Sequence, residues 1–346
     1  MSDINIRVTG KAGRITLTRG KALNALSYEM CMAIDAAMRQ WATDDAVKLV
    51  VIDAEGEKAF CAGGDIAELY DTGTAGDYAY GRKFWSDEYR LNALIFKYPK
   101  PVVSFLQGFT MGGGVGIGCH GTHRIVGDSS QISMPETGIG LIPDVGGTLM
   151  LTLAPGRLGE YLGMTGARMK AADAIYAGFA DFYIPESYWP LLITGLEKEG
   201  DPAIVDVASQ KPPTGSLQLQ QEEIDRYFAG ETLTDILTLL QTRPSDFAEK
   251  TLKTLGRNAP LSMACTVELL HRLRESNLSI HKALEHEYRF TYRAIEKGDF
   301  LEGIRAQIID KDRQPKWQYA KQDVPATAVS QMLMPLGADS LSFEEE

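Results

Sequence analysis

The sequence predicts an α/β fold whose last third is helical, and three observations predict it. Short, continuously apolar runs alternate with stretches of helical spacing in the first half of the chain. Glycine-rich turns separate the two kinds of segment. Beyond residue 231 the apolar runs stop and helical spacing alone remains.

IRVTG and GRITLTRG form the first pair of elements, a hairpin with Gly10 and Gly13 about its turn. SYEMCMAIDAAMRQWATD is a helix, with Ser27 at the N-cap position. VKLVVIDAEG is short and apolar throughout, as in a strand buried on both faces. FCAGGD turns the chain, and a helical stretch continues through residues 82–96. KPVVSFLQG is a second buried strand, MGGGVGIGCHG a turn that opens a helix, and HRIVGD a third strand. Strand, turn and helix therefore recur, and MPETGIGLIPDVGG follows the last strand. KPPTGSLQLQQEE is polar and turn-rich, a surface connection. LTDILTLLQ, PSDFAEKTLKTL and PLSMACTVELLHRLRES are helices, and the segment ending in IRAQIID is a helix pair broken near Gly298. The expected organisation is a core over 1–195, a polar connection over 196–230, a helical region over 231–320 and a frayed tail over 321–346 that ends in FEEE. No internal repeat of solenoid period is present.

Composition narrows the function. The chain has 346 residues, 44% of them hydrophobic, enough for a full core. A net charge of -11 argues against nucleic acid as a partner, because phosphate binding needs a basic footprint. Small anionic ligands stay open, since a few cations or helix N-termini can hold one. Cys31, Cys61, Cys119 and Cys265 are dispersed without a CxxC pair, which suits a reducing compartment and no zinc site. The N-terminal MSDINIRVTG alternates like a strand and has neither signal-peptide nor transit-peptide character, and no apolar run reaches membrane-spanning length. The expectation is a cytoplasmic enzyme with no membrane partner.

Three segments carry candidate chemistry. In FCAGGDI, adjacent glycines leave backbone N–H groups uncovered, and Asp65 occupies an N-cap position; a simple capped turn reads equally well. In MGGGVGIG, three glycines open a helix and present donors at its positive end. Gly116, Gly118 and Gly121 spell GxGxxG, but the run starts inside the helix and lacks an acidic residue about twenty positions on, so a dinucleotide site is rejected. Ser104 lies in no GxSxG elbow, and His120 and His123 have no third metal ligand nearby. MPETGIGLIPDVGG holds the strongest signal: Glu136 and Asp144, two carboxylates in apolar company. A pair of helix N-caps is the bland reading, although VGG is a poor helix start. Acid–base or nucleophilic work on a carbonyl compound is the functional one.

FCAGGDI, MGGGVGIG and MPETGIGLIPDVGG, in this order and spacing, resemble the crotonase (enoyl-CoA hydratase/isomerase) superfamily. Within it the MGGGVG, MPET…PDVGG and DFLEGIRAQIIDKDRQPKW segments are most similar to the 3-hydroxyisobutyryl-CoA hydrolase branch. The resemblance implies a spiral of ββα turns with a helical C-terminal region, assembly as a trimer or hexamer, and an acyl-CoA thioester substrate that brings coenzyme A with it, so that no separate cofactor or metal is needed. It also implies an oxyanion hole of the Gly64 and Gly113 N–H groups; such donors contribute about 3 kcal/mol each in other enzymes. The nucleotide end of coenzyme A would lie near Lys21, Ala22 and Leu23 and near Ala62, Gly63, Asp65 and Ile66, with Lys21 a phosphate contact.

Two departures decide the branch. Hydratases of the superfamily use two glutamates; the second aligns with Glu136, but the first falls at Gly116, which has no side chain. Asp144 stands where hydratases carry glycine, and Glu88 matches a substrate-contacting glutamate of the hydrolases, although its own sequence context reads as a solvated helix position. The expected activity is hydrolysis of a 3-hydroxyacyl-CoA, with Glu136 attacking the thioester or activating water and Asp144 handling the proton or orienting the water. Burial among Ile139, Leu141 and Ile142 is expected to keep the pair from ionising alike. A double-bond isomerase and a non-catalytic subunit on the same fold are the alternatives.

Overall fold

The computed structural model describes residues 3–343, and within them the chain begins as the expected hairpin. β1 (Ile4–Thr9) and β2 (Ala12–Leu17) pair antiparallel, and Gly10 takes the left-handed φ of 56° that their tight turn needs. α1 (Tyr28–Ala42) starts where the Ser27 side chain accepts from the Met30 N–H, and it buries Met30, Ile34, Met38 and Trp41 at helical spacing. β3 (Leu49–Ala54), β4 (Ala59–Cys61), α2 (Ala67–Thr74) and α3 (Tyr78–Phe96) follow. β5 (Val102–Phe105), β6 (Phe109–Met111) and α4 (Gly113–Gly118) repeat that order, and β7 (His123–Val126) and β8 (Gln131–Ser133) start it a third time. A 3-10 turn (Glu136–Ile139) leads to α5 (Gly147–Leu153), α6 (Leu158–Thr165), α7 (Ala171–Tyr176), β9 (Phe182–Tyr183), α8 (Trp189–Glu199) and α9 (Ala203–Ala208). The rest is helical: α10 (Leu217–Tyr227), α11 (Leu233–Thr242), α12 (Asp246–Leu255), α13 (Pro260–Arg274), α14 (Ile280–Lys297), α15 (Phe300–Ile304) with a π-helical turn (Arg305–Ile309), and α16 (Ala326–Leu333).

Two compact units share the chain, and both are discontinuous in sequence. The first takes the chain up to Asp65, then Arg90–Ser133 and Arg168–Gln218. Its main sheet has the order β1-β2-β3-β5-β7-β9, parallel from β2 onward, and its second sheet is β4-β6-β8, also parallel. Each successive strand pair thus gives its first strand to one sheet and its second to the other, which is the spiral of the predicted α/β class. The main core joins Leu49, Val51, Val103, Phe105 and Ile125 of the sheet to Trp189, Leu192, Leu196 and Val205 of α8 and α9. The second unit takes Ile66–Tyr89, Met134–Ala167 and the chain from Leu219. There α5, α6 and α13 pack on one another, α14 lies on α5, and α15 packs against the Glu136–Ile139 turn.

The structure departs from the sequence reading in places. The β4-β6-β8 sheet was not foreseen, because strands three residues long show no periodicity. Residues 196–230, expected as a connection, contain α9 and α10; α10 hides its apolar spacing among glutamines and glutamates but buries Leu217, Ile224 and Tyr227. The expected tail holds α16, which buries Ala328, Met332 and Leu333, while residues 344–346 lie outside the described residues. The N-cap position of α2 is Ile66 rather than Asp65, and the Asp65 carboxylate pairs with Arg19 at 2.7 Å. Among the described residues, no helix is long and apolar enough to cross a membrane.

Candidate active site

The second unit gathers the carboxylates. Glu136 opens the 3-10 turn, whose end at Gly140 takes a φ of 78°. A Cβ there would stand 2.4 Å from the Asp299 carbonyl oxygen, so only glycine lets the turn seat against the start of α15. Neighbouring groups lock the turn: the Ala259 N–H donates to the Thr137 carbonyl at 2.8 Å, and the Thr137 hydroxyl to the Met164 carbonyl at 3.1 Å. Three apolar residues, Leu141, Ile142 and Pro143, then lead to Asp144 and a second constrained turn. Val145 is left-handed at φ 54°, uncommon for a β-branched residue, and Gly146 follows at φ 80°. Asp144 is not the N-cap of α5; that position is Gly146, with no side-chain cap. The Asp144 side chain turns elsewhere and accepts a 2.7 Å hydrogen bond from the Tyr89 hydroxyl.

Glu88, Glu136 and Asp144 are only 3%, 5% and 4% exposed, which overturns the solvated reading of Glu88. Burial is the main influence on all three. It lifts Asp144 from 3.8 to about 7, against the lowering pull of the Tyr89 hydroxyl. Glu136 is raised further above its ordinary range, by burial and then by the Asp144 charge. Glu88 is pushed up to about 8 by burial and the same charge. Burial and like charge thus disfavour the ionised forms of Glu88 and Glu136, while the Tyr89 hydroxyl restrains the rise at Asp144. Glu136 Oε2 and Glu88 Oε1 are buried without a protein hydrogen-bond partner, so each presents an oxygen to whatever enters.

The first unit holds the glycine turns. β4 and β6 are parallel neighbours, and both turns leave their C-terminal ends. Gly64 bridges Leu26 through the hydrogen bonds of Gly63 and Asp65, so the Gly64 N–H itself points away from that segment. Gly113 is the first residue of α4, where an N–H has no partner within the helix. A Cβ on Gly114 would come within 2.2 Å of the Cys61 carbonyl oxygen, so glycine brings the start of α4 against the end of β4. The two segments that the resemblance assigns to coenzyme A also touch: the Ala62 N–H donates to the Leu23 carbonyl at 3.1 Å. Gly20–Ala22 is a 3-10 turn with Lys21 exposed, and Leu23 at φ 53° closes it.

The sequence reading missed Tyr89 and Glu287. Tyr89 followed Glu88 in a helix whose buried face was not identified. Glu287 did carry a signal, an acidic residue in register with Ile280, Ala283, Leu284 and Phe290 on the apolar stripe of α14. The histidine pair is structural in its contacts: His120 lies edge-on to Phe96 and His123 stacks on Phe182. Among the described residues no group of His, Cys, Asp and Glu is arranged to hold a metal ion.

A spiral of paired strands with glycine turns, and a separate cluster of buried carboxylates, define the class. The chain belongs to the enoyl-CoA hydratase/isomerase family, which it matches over residues 12–333. It is 38% identical to the mitochondrial 3-hydroxyisobutyryl-CoA hydrolase of Danio rerio over 330 residues, 92% of this chain and 85% of that one. Among solved structures it resembles an enoyl-CoA hydratase from Rhodobacter sphaeroides, at 56% identity and a TM-score of 0.95 over 99% of this chain and 100% of that one. A carnitinyl-CoA dehydratase from Mycobacterium thermoresistibile is similar at 38% identity and a TM-score of 0.94 over the full length of both.

Proposed function

We propose that the chain is an acyl-CoA thioester hydrolase that converts 3-hydroxyisobutyryl-CoA and water to 3-hydroxyisobutyrate and coenzyme A. The observation that carries this is the buried Glu136/Asp144 pair with its unequal electrostatics. The Gly64 and Gly113 N–H groups hold the thioester oxygen and stabilise the charge it gains. Water attacks the carbonyl carbon and passes its proton to Asp144. The carbon–sulfur bond then breaks, and the leaving sulfur takes the proton from Glu136. A proton returning from Asp144 to Glu136 resets the pair. The free oxygen of Glu88 receives the substrate's 3-hydroxyl, and the segments Lys21–Ala22–Leu23 and Ala62–Ile66 receive the nucleotide end. This substrate implies a role in valine breakdown. The reaction needs no metal or added cofactor, so activity survives dialysis against a chelator.

Thiol release from (S)-3-hydroxyisobutyryl-CoA, followed with a chromogenic thiol reagent, is the test, with loss of crotonyl-CoA absorbance run in parallel. Fast thiol release without hydration is expected. Hydration or isomerisation without thiol release favours the second reading, which the 56% identical enoyl-CoA hydratase structure supports. Gly116 speaks against hydration, because it lies buried within α4 and offers no acid or base. A chain that turns over neither ester is a non-catalytic member of the family. In H2-18O, the first turnover is expected to label the released acid; an unlabelled acid means attack by Glu136 itself. We also propose a homo-oligomer, supported by Leu191 and Val207 at 76% and 88% exposure on α8 and α9, to be weighed by light scattering. A cytoplasmic location is proposed from the four buried thiols, although the curated relatives carry mitochondrial names; fractionation decides.

A further inference from the structure

Glu287 is a carboxylate with no exposure at all, on the inner face of α14. One of its oxygens accepts from the Gly146 N–H at 2.8 Å. The other accepts from the Thr148 N–H at 3.0 Å and from the Thr148 hydroxyl. These donors flank Gly147, immediately after the left-handed residues Val145 and Gly146. A β-branched residue held left-handed is strained and persists only where its surroundings over-determine it. The buried carboxylate clamps this turn from α14, together with the Gly147 N–H donating to the Asp144 carbonyl at 2.7 Å, and the residue on the N-terminal side of the turn is Asp144. The same helix supports Asp144 a second way: Thr291, one turn on, sits 3.4 Å from the Tyr89 hydroxyl that donates to Asp144.

We propose that Glu287 is a positioning residue for the reaction: it clamps the Val145–Thr148 turn and so aims the Asp144 carboxylate. The proposal rests on the hydrolase reading above. Asp144, Glu136 and Tyr89 are the titratable groups that interact with Glu287, and Glu88 joins them through Asp144. Burial pushes Glu287 up to about 8, so near neutral pH it acts through its hydrogen bonds rather than its charge. An Asp144 displaced from the Tyr89 hydroxyl loses a restraint on its own rise, so loosening the clamp is expected to move the acidic limb of the kcat profile to higher pH.

Glu287→Gln keeps the shape but supplies one acceptor oxygen where two are needed, leaving a Gly146 or Thr148 N–H facing an amide NH2. Its expected kcat for 3-hydroxyisobutyryl-CoA falls about 100-fold, as for other small misplacements of a catalytic group. KM and the affinity for a non-hydrolysable thioether analogue stay within two-fold, roughly the scatter of such measurements. Glu287→Asp, which retains both acceptors, is expected to recover part of the rate. Should Glu287→Gln not fold, Glu287→Asp and Thr148→Val carry the test through the same kcat and pH readouts. A folded Glu287→Gln with lowered melting temperature but unchanged kcat and pH profile overturns the proposal and leaves the hydrolase reading intact. Absence of thiol release by the unaltered protein overturns the hydrolase reading and this inference with it.

Discussion

At the scale of single residues, Asp144 is poised by two opposing influences. Burial lifts its carboxyl to about 7, and the 2.7 Å hydrogen bond from Tyr89 restrains that rise. Tyr89→Phe removes the restraint, so the acidic limb of its pH–rate profile is expected to move to higher pH, in the same direction as Glu287→Gln. A profile unmoved by Tyr89→Phe would mean that Asp144 is not the group being titrated. Glu136→Gln and Asp144→Asn should each lower kcat by about 100- to 10,000-fold, the usual contribution of a positioned acid or base, while a thioether analogue still binds. Retention of full activity by either variant removes that residue from the reaction. The carboxylates themselves were legible in MPETGIGLIPDVGG because charge is conspicuous among glycine, isoleucine and leucine. Tyr89 was not, because nothing in FWSDEYRL says which helix face is buried.

At the scale of elements, glycine and capping chemistry separate stability from function. Ser27 caps α1 with the Met30 N–H at 3.3 Å, far in sequence from either carboxylate. Ser27→Ala is expected to cost about 1 kcal/mol of stability with kcat unchanged, read by denaturant titration and thiol release. Gly114→Ala is the contrasting change. Its methyl group meets the Cys61 carbonyl oxygen at 2.2 Å, and backbone on both sides must move. The expected result is a loss of about 1–3 kcal/mol together with a fall in kcat, because α4 carries the Gly113 donor. Normal turnover by a stably folded Gly114→Ala would remove that N–H from the mechanism. The main elements were legible wherever one pattern ran long enough: hairpin, α1, the buried parallel strands and the C-terminal helices. The β4-β6-β8 sheet and α10 were not, since three residues show no period and a polar run conceals Leu217, Ile224 and Tyr227.

At the scale of the whole molecule, buried acids set how stability depends on pH. Glu160 has no exposure, accepts from Arg157 at 2.9 Å and from Arg274 at 2.8 Å, and is held down to about 2 from 4.5. Its lowered value contributes stability that is present above 4.5 and lost as the pH falls toward 2. Glu88 works in the opposite sense. Its value is raised from 4.5 to about 8, so the folded state keeps a proton that the unfolded chain releases, and the stability this gives is lost as pH rises through 8. Glu88→Gln, neutral at every pH, is therefore expected to gain stability over the unaltered protein at pH 9 relative to pH 6, by denaturant titration. Equal stability differences at the two pH values would show that Glu88 is ionised in the folded state.

The sequence by itself determined the α/β class, the repeated strand–turn–helix order and the two carboxylates. Each of these is local: a periodicity, a run of glycines, or a charge where apolar residues surround it. Tertiary structure alone decided which groups share an environment. Glu88 became a buried acid because α3 turns that face inward, Asp65 found Arg19 as a partner, and Glu287 reached the Gly146–Thr148 turn from 139 to 141 positions away in sequence. Proton affinity depends on burial and on neighbouring charge, and both are properties of the packed chain.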